Sequence, residues 1–253
     1  KSRFLEKILT PAEIISTTPL TSTPSITADT VALLQYTSGS TGDPRGVVLT
    51  HGDILSNVRV MDRALQTTPQ DIFISWLPLY HDMGLIGAWI GSLYVGFTLV
   101  LMSPLSFLSR PHRWLHAIHQ HRGTISGGPN FSYELCVSRI ADEDLDGVDL
   151  SSWRIAFNGA EPVNANTLRR FTSRFQGFGF QSTAITPVYG LAEATLGLAF
   201  PPLNRGLHVD VISQETLTVK NRAEPAIRAN QKVLEVVACG RPLPEYQVRI
   251  VDK

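Results

Sequence analysis

Short apolar runs alternate with amphipathic stretches along most of the chain. Val31, Ala32, Leu33, Leu34 and Tyr36 read as a buried strand, and Val47, Val48 and Leu49 as a second buried strand soon afterwards. Residues 53–65 then place Ile54, Val58, Met61 and Leu65 on one helical face. A strand over 72–77 stops at Pro78, and Pro111 opens a helix over 111–121 that turns Trp114, Leu115 and Ile118 inward. A brief strand at 124–126, a helix at 131–140 and a strand at 153–157 follow. A helix at 165–175, with Leu168, Phe171 and Phe175 aligned, leads to a strand at 184–188. This order predicts an α/β fold, with strands and helices alternating around a largely parallel sheet.

Two stretches depart from the alternation. The twenty residues from Met83 to Met102 carry no charge, which is about the length of a bilayer-spanning helix. Glycines at 84, 87, 91 and 96 divide them, so a buried helix over 85–94, a stop at Gly96 and a strand over 98–101 are expected, not a membrane span. After about Phe200 the texture changes. Pro201, Pro202, Asn204 and Gly206 mark a break, and strand-like runs at 207–212, 233–238 and 246–251 with little helix signal predict a β-rich C-terminal portion. Residues 1–30 form a Ser/Thr/Pro-rich lead-in with one short amphipathic piece at Phe4, Leu5, Ile8 and Leu9.

Composition narrows the classes. With 253 residues, 43% hydrophobic, the chain buries a sizeable core. Lys plus Arg and Asp plus Glu each number 22, so nothing in the net charge attracts nucleic acid or an anionic membrane. Two distant cysteines, Cys136 and Cys239, make no disulfide framework and fit a reducing, cytoplasmic setting. The chain begins at Lys1 and its last strand-like run almost reaches the end, which points to a piece of something longer.

The densest chemistry lies between the first two strands, where residues 35–51 read QYTSGSTGDPRGVVLTH. Gly39, Gly42 and Gly46 allow close backbone approach, so successive N–H groups can face one anion. Thr37, Ser38, Ser40 and Thr41 add hydroxyls, and Arg45 adds a forked permanent charge. This is a candidate phosphate cradle, but not the common nucleotide loop, which ends in Gly-Lys-Ser/Thr and opens directly into a helix; no helix is expected before Thr50. Tyr80-His81-Asp82 follows a strand's carboxyl end, where α/β folds bind ligands; His81 either orients a carboxylate or is satisfied by its neighbours.

Asn158-Gly159-Ala160-Glu161 sits in a strand-to-helix turn and can edge a base or ribose. In Tyr189-Gly190-Leu191-Ala192-Glu193, the aromatic face can stack on adenine and Glu193 is a hard oxygen ligand suited to Mg²⁺. Two other patterns fail. Asp142, Asp144, Asp146 and Gly147 imitate a calcium loop whose twelfth position would be Trp153, and His112, His116, His119 and His121 lack the cysteines or carboxylates of a zinc site.

TSGSTGDPRG resembles the phosphate-binding signature of the acyl-adenylate-forming enzymes, with Arg45 in place of the usual lysine. LPLYHDMGL, TISGGPNFSYELC, FNGAEPVNANTL, YGLAEATL and CGRPLP together look most like the fatty acyl-AMP ligases. The resemblance implies ATP-dependent conversion of a fatty acid to acyl-adenylate and transfer to an acyl carrier protein. ATP and Mg²⁺ would be the cofactors, with Glu193 as the metal ligand and His81, Arg45 and Glu193 as the catalytic set. His81, Met83, Gly128, Asn130 and Phe131 would border the fatty acid, and Trp76, Met83, Ile86 and Phe131 are candidates for a dry acyl slot.

It further implies a lead-in at 1–30, an adenylation unit at 31–200, an insertion-like segment at 201–236 and the start of a β-rich portion at 237–253. The family's ribose-holding aspartate and catalytic lid would lie beyond Lys253, so weak or no activity is expected of this chain alone. Two alternatives stay open: an acyl-CoA synthetase, and a non-catalytic binding module of the same fold.

Overall fold

The computed structural model describes residues 22, 24–37, 45–227 and 232–251. The amphipathic piece at Phe4 to Leu9 and the loop residues Ser38, Gly39, Ser40, Thr41 and Gly42 lie outside them.

β1 (Val31–Thr37) and β2 (Arg45–Thr50) pair antiparallel, with Thr37 opposite Arg45. The expectation that both strands are buried is overturned. Val31, Leu34, Tyr36 and Val48 are each more than half exposed, while Leu33 and Val47 pack on the core and Leu49 is buried. A two-stranded ribbon has two faces, and alternation turns Leu33, Val47 and Leu49 toward the protein and Leu34, Tyr36 and Val48 away from it; Val31 lies beyond a register shift that precedes Leu33.

Among the described residues no helix precedes Thr50. That residue caps α1 (His51–Leu65) by a reciprocal pair: Asp53 N–H donates to Thr50 Oγ1 at 3.1 Å, and Thr50 N–H donates to Asp53 Oδ2 at 2.8 Å. Ile54, Val58 and Met61 are buried as expected. Asn57 is buried among them because it grips the backbone of Gly197, donating to its carbonyl at 2.8 Å and accepting from its N–H at 3.1 Å.

β3 (Ile72–Ser75) ends two residues earlier than its apolar run, although Trp76 and Leu77 remain buried. A π-helical stretch (Met83–Ile90) continues into α2 (Gly91–Val95) and stops at Gly96, whose φ of 86° suits glycine. Then come β4 (Thr98–Leu101), α3 (Pro104–Ser109), α4 (His112–His121), β5 (Ile125–Gly128) and α5 (Asn130–Arg139). β6 (Ile155–Asn158), α6 (Ala165–Phe175) and β7 (Ile185–Pro187) complete the unit. No described helix is long and apolar enough to cross a membrane.

The five strands β3 to β7 form one parallel sheet in the order β4-β3-β5-β6-β7. From β3 the chain goes to one side for β4 and to the other for β5. Such a reversal opens a crevice at the carboxyl ends of the two strands. The sheet has two distinct faces. Ile74, Ser126 and Ala156 meet an aromatic core in which the Trp114 indole N–H donates to Ser126 Oγ at 2.7 Å and the Trp153 ring lies 5.2 Å from the Trp114 ring. Phe73, Ile125 and Ile155 belong to a second cluster on the other face, with Phe157 packed against it.

At the amino ends, Asp71 joins several elements. Arg154 donates to it from Nε at 2.9 Å and from Nη2 at 2.7 Å, and Thr124 Oγ1 donates at 2.7 Å. Arg154 Nη1 also donates to Leu65 O at 3.1 Å, tying the last turn of α1 to the sheet.

β8 (Tyr189–Gly190), β9 (Gly197–Phe200) and β12 (Arg241–Pro242) make a small antiparallel sheet in the order β12-β9-β8. Between them, β10 (Val209–Ser213) and β11 (Val233–Val237) pair antiparallel around α7 (Gln214–Lys220). The helix corrects the expectation of little helix in the tail: Ser213 Oγ accepts from Thr216 N–H and starts it. The run at 246–251 forms no strand among the described residues, and Ile250 is fully exposed, because alternation makes a strand only where an edge receives it. Bidentate bonds of 2.7 and 2.9 Å from Arg169 to Glu235 tie β11 to α6.

The two rejected metal patterns have structural partners. Asp142 receives a bond from Arg174 at 2.8 Å, His112 lies 3.4 Å from Asp144, and His116 Nε2 is 2.7 Å from the Asp144 carbonyl. Among the described residues no group of three or more His, Cys, Asp or Glu could hold a metal ion.

Candidate functional site

One cavity of about 240 Å³ lies against the Phe73 face of the sheet, beneath α1 and the π-helical stretch. Its wall is mostly apolar: Val58, Met61, Phe73, Phe97, Ile125 and Phe157 contribute. Gly87 and Gly91, four residues apart, also line it, where missing side chains leave room. Polar groups gather at the carboxyl ends of the strands. His81 and Asp82 follow β3, Ala160 follows β6, and Tyr189 and Gly190 follow β7.

His81, Met83, Ala160, Tyr189 and Gly190 are therefore brought together around one cavity, although they come from three separate loops. Met83 is the single member of the expected acyl slot in the lining. Trp76 instead stacks on Phe107 with ring centroids 4.2 Å apart, Ile86 is fully buried, and Phe131 lies edge-on to Trp76. Gly128 is tight: a Cβ there would sit 2.5 Å from Trp76 Cζ2, so glycine lets the tryptophan lie across β5.

The His81 ring is set by its neighbour. Nδ1 lies 2.7 Å from Asp82 Oδ1, and Asp82 Oδ1 also accepts the Met83 N–H at 2.7 Å, capping the π-helical stretch. An Nδ1 that gives its proton to Asp82 cannot also accept from Met83, so the longer 3.3 Å approach between those two atoms is no hydrogen bond in that tautomer. The bond to Asp82 raises the His81 pKa above its ordinary value against the opposing effect of burial. Nε2 is left for a ligand. Asp82 satisfies one ring nitrogen of His81, and the residue is part of the cavity lining.

The Asn158 turn is a connected polar unit. Asn158 Nδ2 donates to Asn130 Oδ1 at 3.3 Å, Asn164 N–H donates to the same oxygen at 3.0 Å, and Phe131 N–H donates to Glu161 Oε1 at 2.5 Å. Glu161 thus serves an open donor in the first turn of α5. Asn158 is fully buried and its Oδ1 has no partner among the described residues. A buried oxygen left unpaired costs free energy unless a ligand donates to it. Gly159 is held by close packing, since a Cβ there would meet Val188 Cγ2 at 2.8 Å, and Ala160 takes a left-handed φ of 67°.

Tyr189 exposes about half its surface, and Glu193 is exposed in the short turn Ala192–Ala194. Leu191 N–H bonds to the Leu196 carbonyl at 3.0 Å and closes that turn. Arg45 and Gly46 open β2 opposite Thr37 and Tyr36; Arg45 is exposed, and neither Arg45 nor Gly46 lines the cavity.

Sequence reasoning passed over Gly87, Gly91, Asp62 and Thr67, all of which line the cavity. For the glycines a signal existed in their four-residue spacing within an uncharged helix. For Asp62, on a surface helix, there was none.

Comparison with known proteins adds to this geometry. The family described as AMP-binding enzyme matches residues 4–253. The medium-chain-fatty-acid–[acyl-carrier-protein] ligase TtuA of Teredinibacter turnerae is 40% identical over 232 residues, covering 90% of this chain and 35% of its own length. The ligase of the same description JamA, of Moorena producens, is 44% identical over 232 residues, covering 90% of this chain and 39% of its own. A crystal structure of fatty acyl-adenylate ligase from L. pneumophila, in complex with acyl adenylate and pyrophosphate, superposes with a TM-score of 0.83 at 41% identity, covering 87% of this chain and 39% of that one. The chain spans about two fifths of the length of these relatives.

Proposed function

The chain belongs to the AMP-binding enzyme family, and from that premise we propose that it is the central part of a ligase that converts a fatty acid to its acyl-adenylate for delivery to an acyl carrier protein. The carrying observation is the single cavity that joins an apolar wall to His81, Ala160 and Tyr189. An alkyl chain gains by leaving water for such a wall, while its carboxylate stays at the polar end.

In this reading the acid lies with its carboxylate near His81, whose Asp82 partner favours the charged imidazole that attracts it. A carboxylate oxygen attacks the α-phosphorus of ATP in line; the new P–O bond forms as the bond to the β-phosphate oxygen breaks, and pyrophosphate leaves. Tyr189 stacks on the adenine, and the unpaired Asn158 Oδ1 is an acceptor for a base or ribose donor. Arg45 and the hairpin loop hold the leaving phosphates. Glu193, an exposed carboxylate with no ion pair among the described residues, fits a Mg²⁺ ion. When bound, that ion would offset charge developing on the phosphates.

In this reading the segment 201–236, whose described residues contribute β10, α7 and most of β11 and are tied to α6 by Arg169 and Glu235, corresponds to the extra segment implied by the resemblance to fatty acyl-AMP ligases. It supports a carrier protein as acceptor over coenzyme A. The test is mass spectrometry of the full-length protein given ATP, a fatty-acid mixture and either acceptor. Acyl-adenylate followed by acyl carrier protein is expected; acyl-coenzyme A would favour the synthetase reading. ATP–pyrophosphate exchange is expected to fall in Arg45→Ala and Glu193→Ala. Robust exchange by the 253-residue chain alone would contradict a division of the catalytic machinery between this chain and further segments.

A further inference from the structure

The cavity does not end in a purely apolar cap. Its lining runs from His81 and Tyr189, at the carboxyl ends of the strands, past Phe73 and Ile125 to Asp62, Leu65 and Thr67 at the amino ends. Asp62 and Thr67 belong to the end of α1 and the turn after it. Thr67 Oγ1 donates to Asp62 Oδ1, and Thr67 N–H donates to Asp62 O at 3.3 Å. Both residues are half-buried. The turn is also held from behind, because Arg154 Nη1 donates to Leu65 O and Nη2 to Gln66 O. Asp62, its carboxylate bonded to Thr67 and with acceptor capacity to spare, therefore belongs to one end of a mostly apolar lining.

We infer that the cavity selects carboxylic acids of medium length that carry a hydrogen-bond donor, such as a hydroxyl, at the far end. This rests on the reading of the cavity as an acyl slot. The sheet sets a scale for length: β3 has four residues, about 13 Å at ~3.3 Å each. An extended alkyl chain advances ~1.25 Å per carbon, so about ten carbons cross it. A methyl end at that depth strips water from Asp62 and returns nothing, whereas a terminal hydroxyl donates to the carboxylate and replaces the lost water. A shorter acid never reaches the aspartate and is indifferent to it.

Isothermal titration calorimetry on the full-length protein tests this with decanoate, ω-hydroxydecanoate and hexanoate, for the native protein, Asp62→Leu and Asp62→Asn. ω-Hydroxydecanoate is expected to bind the native protein about tenfold more tightly than decanoate. Asp62→Leu reverses that order, and hexanoate binds all three proteins alike. Asp62→Asn keeps an acceptor for Thr67 and falls between them, so the comparison stands even if the leucine variant folds poorly. Binding of both ten-carbon acids without dependence on residue 62 overturns the terminal-donor inference and leaves the acyl slot standing. Failure of every acid to bind overturns the slot reading as well.

Discussion

Arg154 holds Asp71 through two parallel bonds, Nε to Oδ1 at 2.9 Å and Nη2 to Oδ2 at 2.7 Å, although 83 residues separate them. The aspartate is 5% exposed, and the same arginine binds the last turn of α1. Removing one partner strands a buried charge. The arginine side chain is 33% exposed, so solvent softens the loss. Arg154→Ala is expected to cost about 2 kcal/mol, read as a lower urea midpoint with an unchanged slope.

The same pair sets an acid limit. Burial raises the Asp71 pKa, but bonds from Arg154, Thr124 and the Thr68 N–H outweigh it and hold the carboxyl below its ordinary value. A depressed folded pKa means that the unfolded state binds the proton first. The stabilisation is thus present above the unfolded value of about 3.9 and is lost as pH falls through the folded one. In Asp71→Asn the urea midpoint is expected to be lower at neutral pH and to fall less than in the native protein between pH about 5 and the acid limit.

For His81 the sign is opposite. Its raised pKa gives a contribution that is complete below the unfolded value of about 6.5 and lost as pH rises through the folded one. Asp82→Asn removes the largest cause, so the imidazole titration followed by NMR is expected to move to lower pH. An unmoved titration would show that Asp82 does not set the ring.

Gly127 is expected to tolerate no side chain. A Cβ there would lie 2.1 Å from the Phe157 carbonyl oxygen, a backbone atom of the neighbouring strand. Gly127→Ala must displace β6 relative to β5 and is expected to lower stability by about 2 kcal/mol or more by urea unfolding.

Gly91→Leu addresses the cavity directly. A Cβ at this position meets nothing closer than 3.5 Å, and leucine is a better helix former by about 0.8 kcal/mol. The fold is expected to hold while the new side chain occupies the cavity. Decanoate binding by calorimetry should fall about tenfold or more, with the melting temperature unchanged or raised.

Much of the fold could be read from residue pattern because single elements carry their own signals. The helix Ala165–Phe175 was placed at both ends by the Leu168, Phe171 and Phe175 stripe; Asn164, whose Oδ1 accepts the Thr167 N–H, caps it. The stop at Gly96 followed from glycine. What failed depends on partners that a local pattern does not contain. The exposed faces of β1 and β2 look apolar from sequence alone, and the run at 246–251 alternates like a strand without a described edge to join.

The helix Gln214–Lys220 was missed because one short turn system with Thr216 and Thr218 inside it has little propensity of its own. Of the residues around the cavity, His81, Ala160 and Tyr189 belong to motifs that stand apart in the sequence. Their meeting around one cavity depends on strand order, and Asp62 at its other end belongs to a helix that already had a complete amphipathic explanation.

The π-helical stretch from Met83 to Ile90 makes residue count there an adjustable dimension. A π-helix closes i→i+5 bonds and holds more residues per turn than an α-helix, so deleting one residue between Gly87 and Gly91 would draw the stretch toward α-helical winding and change which side chains line the cavity. Related chains could therefore resize their slot by gaining or losing one residue here, with every lining residue of the sheet left unchanged.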